Sequence, residues 1–209
     1  MSFFIFHRLC LNMNLVKIKA DNSKVYARAV VFGLKKEMAL LDIYTFPDPI
    51  LRQQAAAVTV FDQELDETAQ SMLETMYVSS GIGLAAIQAG ILKKIIVIDL
   101  NSGEEEISHR EPHVFINPKI VKKSGNTVSE EGCLSVIEFR AEVERAEKIT
   151  VEFQDVTGNA QKMDAEDMMA ICLQHEIDHL NGILFIDHLP LLKQKMVKKR
   201  LTKLAKAEA

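Results

Sequence analysis

Apolar residues recur at helical spacing between residues 62 and 78. They stand three or four positions apart and so share one side of a helix, at Leu65, Ala69, Met72, Leu73, Met76 and Tyr77. Such a stripe is the buried face of an amphipathic helix. Gly81 follows, and glycine ends helices readily. The pattern therefore predicts a helix over residues 62–78.

Three later segments have the pattern of β-strands. Residues 95–98 are an unbroken β-branched run, which is typical of a buried strand. The apolar run 114–116 is expected to stop at Asn117 and Pro118, because a proline cannot donate a hydrogen bond to a sheet. Apolar and polar residues alternate over 149–154, and this period of two predicts a half-buried strand.

The last part of the chain is predicted to be mainly helical after a turn over residues 155–159. One helix is expected from Asp164, its N-cap, to Asn181, with Gly182 beyond its end. Pro190 opens a second, lysine-rich helix. Strands followed by helices, without regular βαβ alternation, indicate an α+β fold. Its antiparallel or mixed sheets are expected to surround the first of these two helices.

The composition excludes several kinds of protein. Of the 209 residues, 48% are apolar, which suits a domain that buries its own core. No apolar run approaches the roughly 18 residues of a transmembrane helix, so no membrane segment is expected. The three cysteines, Cys10, Cys133 and Cys172, cannot all pair, which indicates a reducing compartment. The net charge of −4 argues against nucleic acid as the main partner.

Charge is divided unevenly along the chain. Residues 1–37 hold seven of the 25 basic and two of the 29 acidic residues, so residues 38–209 hold 18 and 27. We therefore predict a basic N-terminal extension over 1–37 and one catalytic domain over 38–209. The extension is interpreted as sequence upstream of a true start at Met38 or as vector sequence, with a cytoplasmic protein expected. An organellar transit peptide is the alternative.

The chemistry is most evident at residues 175–179, which fit the pattern H-E-x-x-H. On a helix, His175 and His179 project from one face and can reach one metal ion. Glu176 lies about 100° further round the helix and can reach a water on that metal. The arrangement is typical of metal-assisted hydrolysis, with the glutamate taking the proton. A chance match is the alternative interpretation.

A catalytic metal usually has a third protein ligand. Phe185 stands where one class of metallopeptidase has its third histidine, and the only later glutamate is Glu208. Asp187 and His188 are possible ligands, but they follow the helix too soon to fold back easily. Cys133 is the best upstream candidate, although a single cysteine is more often a small buried apolar residue.

A third segment, Gly81–Gln88, is rich in glycine and alanine. Its small residues either allow tight packing of a helix on a strand or let a substrate backbone lie against the chain. Gln88 ends the segment and offers an amide donor for a developing oxyanion.

These three segments together resemble the peptide deformylase family. The family is marked by G-x-G-x-A-A-x-Q, E-G-C-L-S and Q-H-E-x-D-H in this order, and the chain has them at 81–88, 131–135 and 174–179. The resemblance covers residues 38–209. It implies an enzyme that removes the formyl group from the N-terminal formylmethionine of nascent polypeptides, with one divalent metal ion. Fe²⁺ is expected, and Zn²⁺, Ni²⁺ or Co²⁺ can replace it.

The resemblance also implies roles for particular residues. Glu176 becomes the general acid and base, and Gln88 and the Leu134 N–H hold the oxyanion. Gly83 meets the substrate backbone, and Arg140 lies near the substrate path, although a plain surface charge is an alternative for Arg140. The implied metal ligands are Cys133, His175 and His179, and the pair behind them is Glu131 and Arg145.

A methionine pocket can be expected from the residues themselves. Met168, Ile171 and Cys172 precede His175 by seven, four and three positions and so share its helix face. With Ile82 they form an apolar wall that suits a flexible thioether. Ordinary core packing is the alternative. The chain departs from the family at Ile137, where a proline is usual, and at Ser80, where many members have an acid.

Two further expectations concern partners and rival functions. The last helix carries Lys193, Lys195, Lys198, Lys199, Arg200, Lys203 and Lys206. This basic face is either simply solvated or docks on ribosomal RNA, since the implied substrate is a nascent chain. A monomer is expected. The rival functions are an H-E-x-x-H metallopeptidase and a non-catalytic module that a metal stabilises.

Overall fold

The computed structural model describes residues 39–103 and 107–208. The predicted N-terminal extension lies outside these residues. The strands are β1 (Gly83–Ala85), β2 (Ile95–Ile98), β3 (His113–Ser124), β4 (Thr127–Cys133), β5 (Val136–Arg145), β6 (Lys148–Gln154) and β7 (Ala160–Glu166). The helices are α1 (Gln63–Val78), α2 (Asp167–Leu180) and α3 (Leu191–Glu208), and short 3₁₀ helices span Pro49–Arg52, Ala86–Ala89, Ile107–His109 and Phe185–His188. The α+β prediction is confirmed.

The sheets of the described residues are antiparallel. One has five strands in the order β1-β2-β3-β6-β7, and the other is the hairpin β4-β5. Strand β2 shows how the larger sheet is covered, because its four residues are all fully buried. Ile95 and Val97 pack with α1, whereas Ile96 and Ile98 pack with α2. The sheet therefore lies between the two helices, which accounts for the unbroken apolar run.

Helix α1 forms where the periodicity predicts it. Asp62 is its N-cap, and the Asp62 carboxylate accepts a hydrogen bond from Leu65 N–H at 3.0 Å. The apolar stripe is buried: Leu65, Ala69, Met72 and Met76 are at most 3% exposed. Burial of this stripe, rather than helix propensity, supplies most of the stability of such a helix.

Strand β3 does not stop at Asn117, and that prediction is wrong. The strand continues through Pro118 to Ser124, with a register shift after Ile116. Asn117 adopts a left-handed conformation with φ of 53°, which asparagine tolerates better than most residues. Its side chain bonds to both backbone groups of Val58, at 2.8 and 2.9 Å. A local bulge therefore absorbs the proline without ending the strand.

The start of α2 also differs from prediction. Asp164 is not an N-cap; it lies in β7, opposite Thr150, and accepts a hydrogen bond from the Thr150 hydroxyl at 2.6 Å. Sheet pairing of this segment therefore displaces the helix start to Asp167. The end is close to expectation, because Gly182 follows in the left-handed conformation with φ of +72°. A side chain there would meet the Arg52 carbonyl at 2.6 Å.

Helix α3 begins after Pro190, as predicted. Val197 and Leu201 are buried, the only such residues among the described side chains of this helix, and they join an apolar cluster with Val143 and Phe185. No helix in the described parts of the chain is both long and apolar enough to cross a membrane.

Candidate metal centre

Three donor atoms from two elements converge at one point. Cys133 ends β4, and His175 and His179 lie one turn apart in α2. His179 Nε2 is 3.2 Å from Cys133 Sγ and 3.2 Å from His175 Nε2, and all three atoms lie within 4.8 Å of one another. Ligands at ordinary bond lengths around a tetrahedral ion are about 3.3 to 3.6 Å apart. The donors are thus spaced as a small divalent ion requires.

The ring of His175 is held by a carboxylate. Glu131 Oε2 accepts a hydrogen bond from His175 Nδ1 at 2.8 Å, which leaves the Nε2 lone pair facing the other donors. Arg145 in turn donates to both Glu131 oxygens, at 2.7 and 3.0 Å. Although burial opposes ionisation, these hydrogen bonds from His175 and Arg145 lower the pKa of Glu131 to about 2.

Arg145 is shared with a second carboxylate. It donates to Asp178 Oδ2 at 2.5 Å, and Asp178 also lies 2.7 Å from His188 Nε2. Burial opposes ionisation of Asp178, but the His188 hydrogen bond and the Arg145 charge lower its pKa. Burial lowers the pKa of His179 well below its usual value and so favours the neutral ring that a metal needs.

Glu176 lies beside the donors in a closed environment. It is 4% exposed, and its Oε2 has no hydrogen-bond partner among the described residues. Burial raises the pKa of Glu176 to about 7. A carboxyl group with such a pKa can both accept and return a proton at neutral pH. Its Oε2 therefore keeps an unused capacity to accept a hydrogen bond.

Gln88 has a fixed orientation next to the sulfur. Its Oε1 accepts a hydrogen bond from Ala85 N–H at 2.8 Å, so its Nε2 must face the other way. That nitrogen donates to Ser135 Oγ at 3.1 Å and lies 3.6 Å from Cys133 Sγ. The amide donor therefore points toward the cavity around Cys133, where an oxyanion can be bound.

A cavity of about 750 Å³ opens onto these groups. Gly83 lies so close to α2 that an added Cβ would meet Glu176 Oε1 at 2.6 Å and Cys172 Sγ at 2.8 Å. Other predicted site residues that line the cavity are Ile82, Gln88, Glu131, Cys133, Leu134, Arg140, Met168, Ile171, Cys172, His175 and Glu176. Met168 and Ile82 remain 48% and 39% exposed and can be covered by a ligand.

The structure thus brings together every site residue that the sequence singled out. Arg145 contacts the site through Glu131, and His179 through the other donors. Of the two departures, Ser80 lines the cavity with a φ of 55°, and Ile137 is 54% exposed. Sequence reasoning missed the roles of Ser135, Asp178 and His188. Asp178 and Ser135 stand inside the quoted motifs, whereas His188 was considered only as a possible third metal ligand.

Comparisons with known proteins give a consistent result. The sequence model of the family described as "Polypeptide deformylase" matches residues 40–195. A peptide deformylase of Rhizobium meliloti is 50% identical over 170 residues, which is 81% of this chain and 96% of that protein. The crystal structure of a peptide deformylase from Legionella pneumophila is 40% identical with a TM-score of 0.73, and covers 81% of this chain and 98% of its own. A peptide deformylase from Synechococcus elongatus in complex with actinonin is 42% identical, with a TM-score of 0.71 over 77% and 86% of the chains.

Proposed function

We propose which residues carry out the reaction of the peptide deformylase family, to which this chain belongs. The reaction depends on a metal and removes the formyl group from N-terminal formylmethionine. The proposal depends above all on one observation, the convergence of Cys133 Sγ with two Nε2 atoms beside an unpaired oxygen of Glu176. Hydrolysis of an amide needs an activated water, an oxyanion site and a proton donor for the leaving amine.

The proposed metal ligands are Cys133, His175 and His179. They would hold a divalent ion through one thiolate and two neutral imidazoles, a donor set typical of catalytic metal sites. When bound, the metal supplies Lewis acidity and makes water acidic enough to act near pH 7. We propose Fe²⁺ as the native ion because of the resemblance to the family. The donor set does not decide the choice, since it suits Zn²⁺, Ni²⁺ and Co²⁺ as well. Metal analysis of anaerobically purified protein tests the choice.

The proposed acid and base is Glu176. Its pKa near 7 lets it take a proton from the attacking water and return that proton to the departing amine nitrogen. The water oxygen bonds to the formyl carbon, the carbon–nitrogen bond breaks, and formate and a free amino terminus result. Because the carboxyl is almost fully buried, bulk water does not compete for this proton.

The proposed oxyanion site consists of Gln88 Nε2 and the Leu134 N–H. Gln88 is oriented by Ala85, so its donor needs little reorganisation during the reaction. Leu134 lies in the turn that joins β4 to β5, directly after Cys133. In this arrangement the two donors flank the sulfur ligand, next to the place where the formyl oxygen develops charge.

The proposed methionine pocket is the apolar part of the cavity. Ile82, Met168, Ile171 and Cys172 line it beside Glu176. The substrate backbone is proposed to lie along Gly83, which has no side chain to obstruct it. Arg140 is proposed to contact the chain after methionine, since it is exposed and lines the same cavity.

Formate release from a formyl-Met peptide tests these roles, with protein prepared anaerobically. Glu176→Ala should abolish release while the metal stays bound, and Cys133→Ser should weaken metal binding. Cleavage of an internal peptide bond would instead support a metallopeptidase. Bound metal without any turnover would support a non-catalytic module. Glu64→Ala, on the first turn of α1, is a matched control that should leave turnover unchanged.

We further propose that the basic face of α3 docks on ribosomal RNA. Val197 and Leu201 hold the helix on the domain, and the basic residues that are exposed among its described side chains are Lys193, Lys195, Lys199, Arg200 and Lys203. Changing the four exposed lysines to glutamate should weaken ribosome binding, and the loss should grow as salt is lowered. Equal binding of both proteins would refute the docking.

The protein is also proposed to be a cytoplasmic monomer whose first 37 residues are not needed for turnover. Light scattering of the full chain tests the oligomeric state. Removal of residues 1–37 should leave formate release unchanged, and a chain that then fails to fold would show that the boundary is wrong.

A further inference from the structure

A second polar cleft lies behind the metal centre. It has a volume of about 690 Å³ and shares no lining residue with the substrate cavity. Arg145, Asp178 and His188 line the second cleft, and Glu131 lines the first. The ion pair between Arg145 and Glu131 is therefore part of the wall between the two spaces.

A continuous chain of hydrogen bonds crosses this wall. It starts at His188 Nε2, which lies 2.7 Å from Asp178 Oδ2, and continues at 2.5 Å to Arg145 Nη1. Arg145 Nε and Nη2 bind the two oxygens of Glu131, and Glu131 Oε2 binds His175 Nδ1 at 2.8 Å. Its outer end is open to solvent, because the His188 side chain is 36% exposed, against 5% for Arg145.

The proton in the first link can be assigned. Asp178 forms an ion pair with Arg145 and is thus a carboxylate, which only accepts hydrogen bonds. His188 Nε2 therefore carries the proton and donates to Asp178. Arg145 is also only a donor, so its 3.4 Å approach to the same nitrogen is proximity and not a hydrogen bond.

The short helix Phe185–His188 supports His175 in a second way. The Phe185 ring stacks against the His175 ring, with centroids 6.0 Å apart and planes 25° apart. The Phe185–His188 turn thus supports His175 at two places. Phe185 packs against the face of the imidazole, and His188 is linked to the imidazole Nδ1 through the hydrogen-bond chain. Both contacts limit rotation of the ring about its bonds.

We propose that His188 is a positioning residue for the metal centre. Its Nε2–H holds Asp178, and Asp178 and Glu131 together fix the Arg145 guanidinium that orients His175. The inference depends on the proposed role of His175 as a ligand. His188 does not line the substrate cavity, so it acts on metal retention and on turnover, not on peptide binding.

Metal release and the Co²⁺ absorption spectrum test this inference. His188→Ala should release Zn²⁺ to a chromogenic chelator about 3- to 10-fold faster, less than the roughly 10- to 100-fold cost of losing a direct partner of a ligand. It should shift the visible bands of the Co²⁺ form and lower kcat with little change in KM. His188→Gln, whose amide can still donate to Asp178, should restore release to within about twofold. His113→Ala, at the start of β3, is the matched histidine control and should change neither readout.

Two results would overturn the inference: release from His188→Ala at the unchanged rate, or equally fast release from His188→Ala and His188→Gln. His188→Phe keeps the ring without the N–H, so the Phe and Gln variants decide the question if the Ala variant does not fold. Cys133→Ser measured alongside separates the two proposals. If that variant keeps full metal affinity, the ligand assignment itself fails; if it loses metal while His188→Ala does not, only the positioning role fails.

Discussion

Gly83 and Glu176 are in such close contact that no side chain fits between the strand and the helix. An added Cβ at Gly83 would lie 2.6 Å from Glu176 Oε1, well inside van der Waals contact. The proposed acid and base is therefore positioned by the absence of a side chain on β1. The same contact places the Glu176 carboxyl group directly beside Gly83, along which the substrate backbone is proposed to lie.

Gly83→Ala should lower kcat/KM for a formyl-Met peptide by at least about 100-fold, because displacement of a reacting group by about 1 Å has that cost. The measurement is formate release, with circular dichroism to confirm the fold. Gly103→Ala is the matched control, since a Cβ there meets nothing within 4 Å. Activity near the original level in Gly83→Ala would show that Glu176 can move without loss.

Gln88→Ala should lower kcat by about 100- to 1,000-fold and change KM little, because the amide is proposed to bind the oxyanion mainly in the transition state. Steady-state kinetics over a range of peptide concentrations separates the two parameters. A variant that raised KM alone would place Gln88 in ground-state binding instead.

Glu131→Gln should weaken metal binding by about 10- to 100-fold, because His175 loses its charged hydrogen-bond acceptor and Arg145 loses a charge partner. Chelator competition with the Zn²⁺ form measures the affinity. Glu130→Gln is the neighbouring control, since Glu130 is exposed and alternates to the other face of β4. Equal affinities for the two variants would contradict the role of Glu131.

Asp187→Asn should destabilise the fold by about 1 kcal/mol at pH 7, because Asp187 pairs with Arg52 and with Lys198 in a half-exposed position. Although burial opposes ionisation, these partners lower the pKa of Asp187 to about 2 from its usual 3.8. A depressed carboxyl stabilises the fold above its unfolded pKa and loses that effect as pH falls toward its folded pKa. The difference in Tm between the two proteins should thus stay constant from pH 7 to 5 and shrink below about pH 4. A difference that persisted at low pH would point to packing.

Local patterns were enough for α1, β2 and the pairing of His175 with His179 on one helix face, whereas Cys133 was proposed by elimination and by resemblance to the family. The apolar stripe of α1 and the H-E-x-x-H spacing are patterns that extend over one or a few helical turns. They can therefore be recognised directly in the sequence. The end of β3 and the start of α2 depend instead on pairing between distant strands. Beyond Pro118, β3 pairs with β6, with Lys119 opposite Glu152, and Asp164 in β7 lies opposite Thr150 in β6. Such pairing overrides the local signals of proline and of an N-cap.

The hairpin β4-β5 shows the same limit. Its outer face carries charges, so no apolar alternation marks β4, yet Glu131 and Cys133 on this strand lie at the candidate metal centre. The contact of His188 with Asp178 joins two segments through side chains only. Nothing in the spacing of these residues distinguishes them from an ordinary surface pair.

The order of the metal centre along the chain has a consequence for biosynthesis. Its donors and their hydrogen-bonded supports all lie between Glu131 and His188, and the Phe185–His188 turn is tied to α3 through the pair of Asp187 with Lys198. A ribosome makes α1 and strands β1–β3 before any of these, and elements made first can fold first. The emerging chain thus has three of the five strands of its larger sheet, β1 with Gly83 among them, before the proposed metal ligands have been made. Because the proposed ligands and the Phe185–His188 turn come late in the chain, we expect a metal to be retained only late in synthesis.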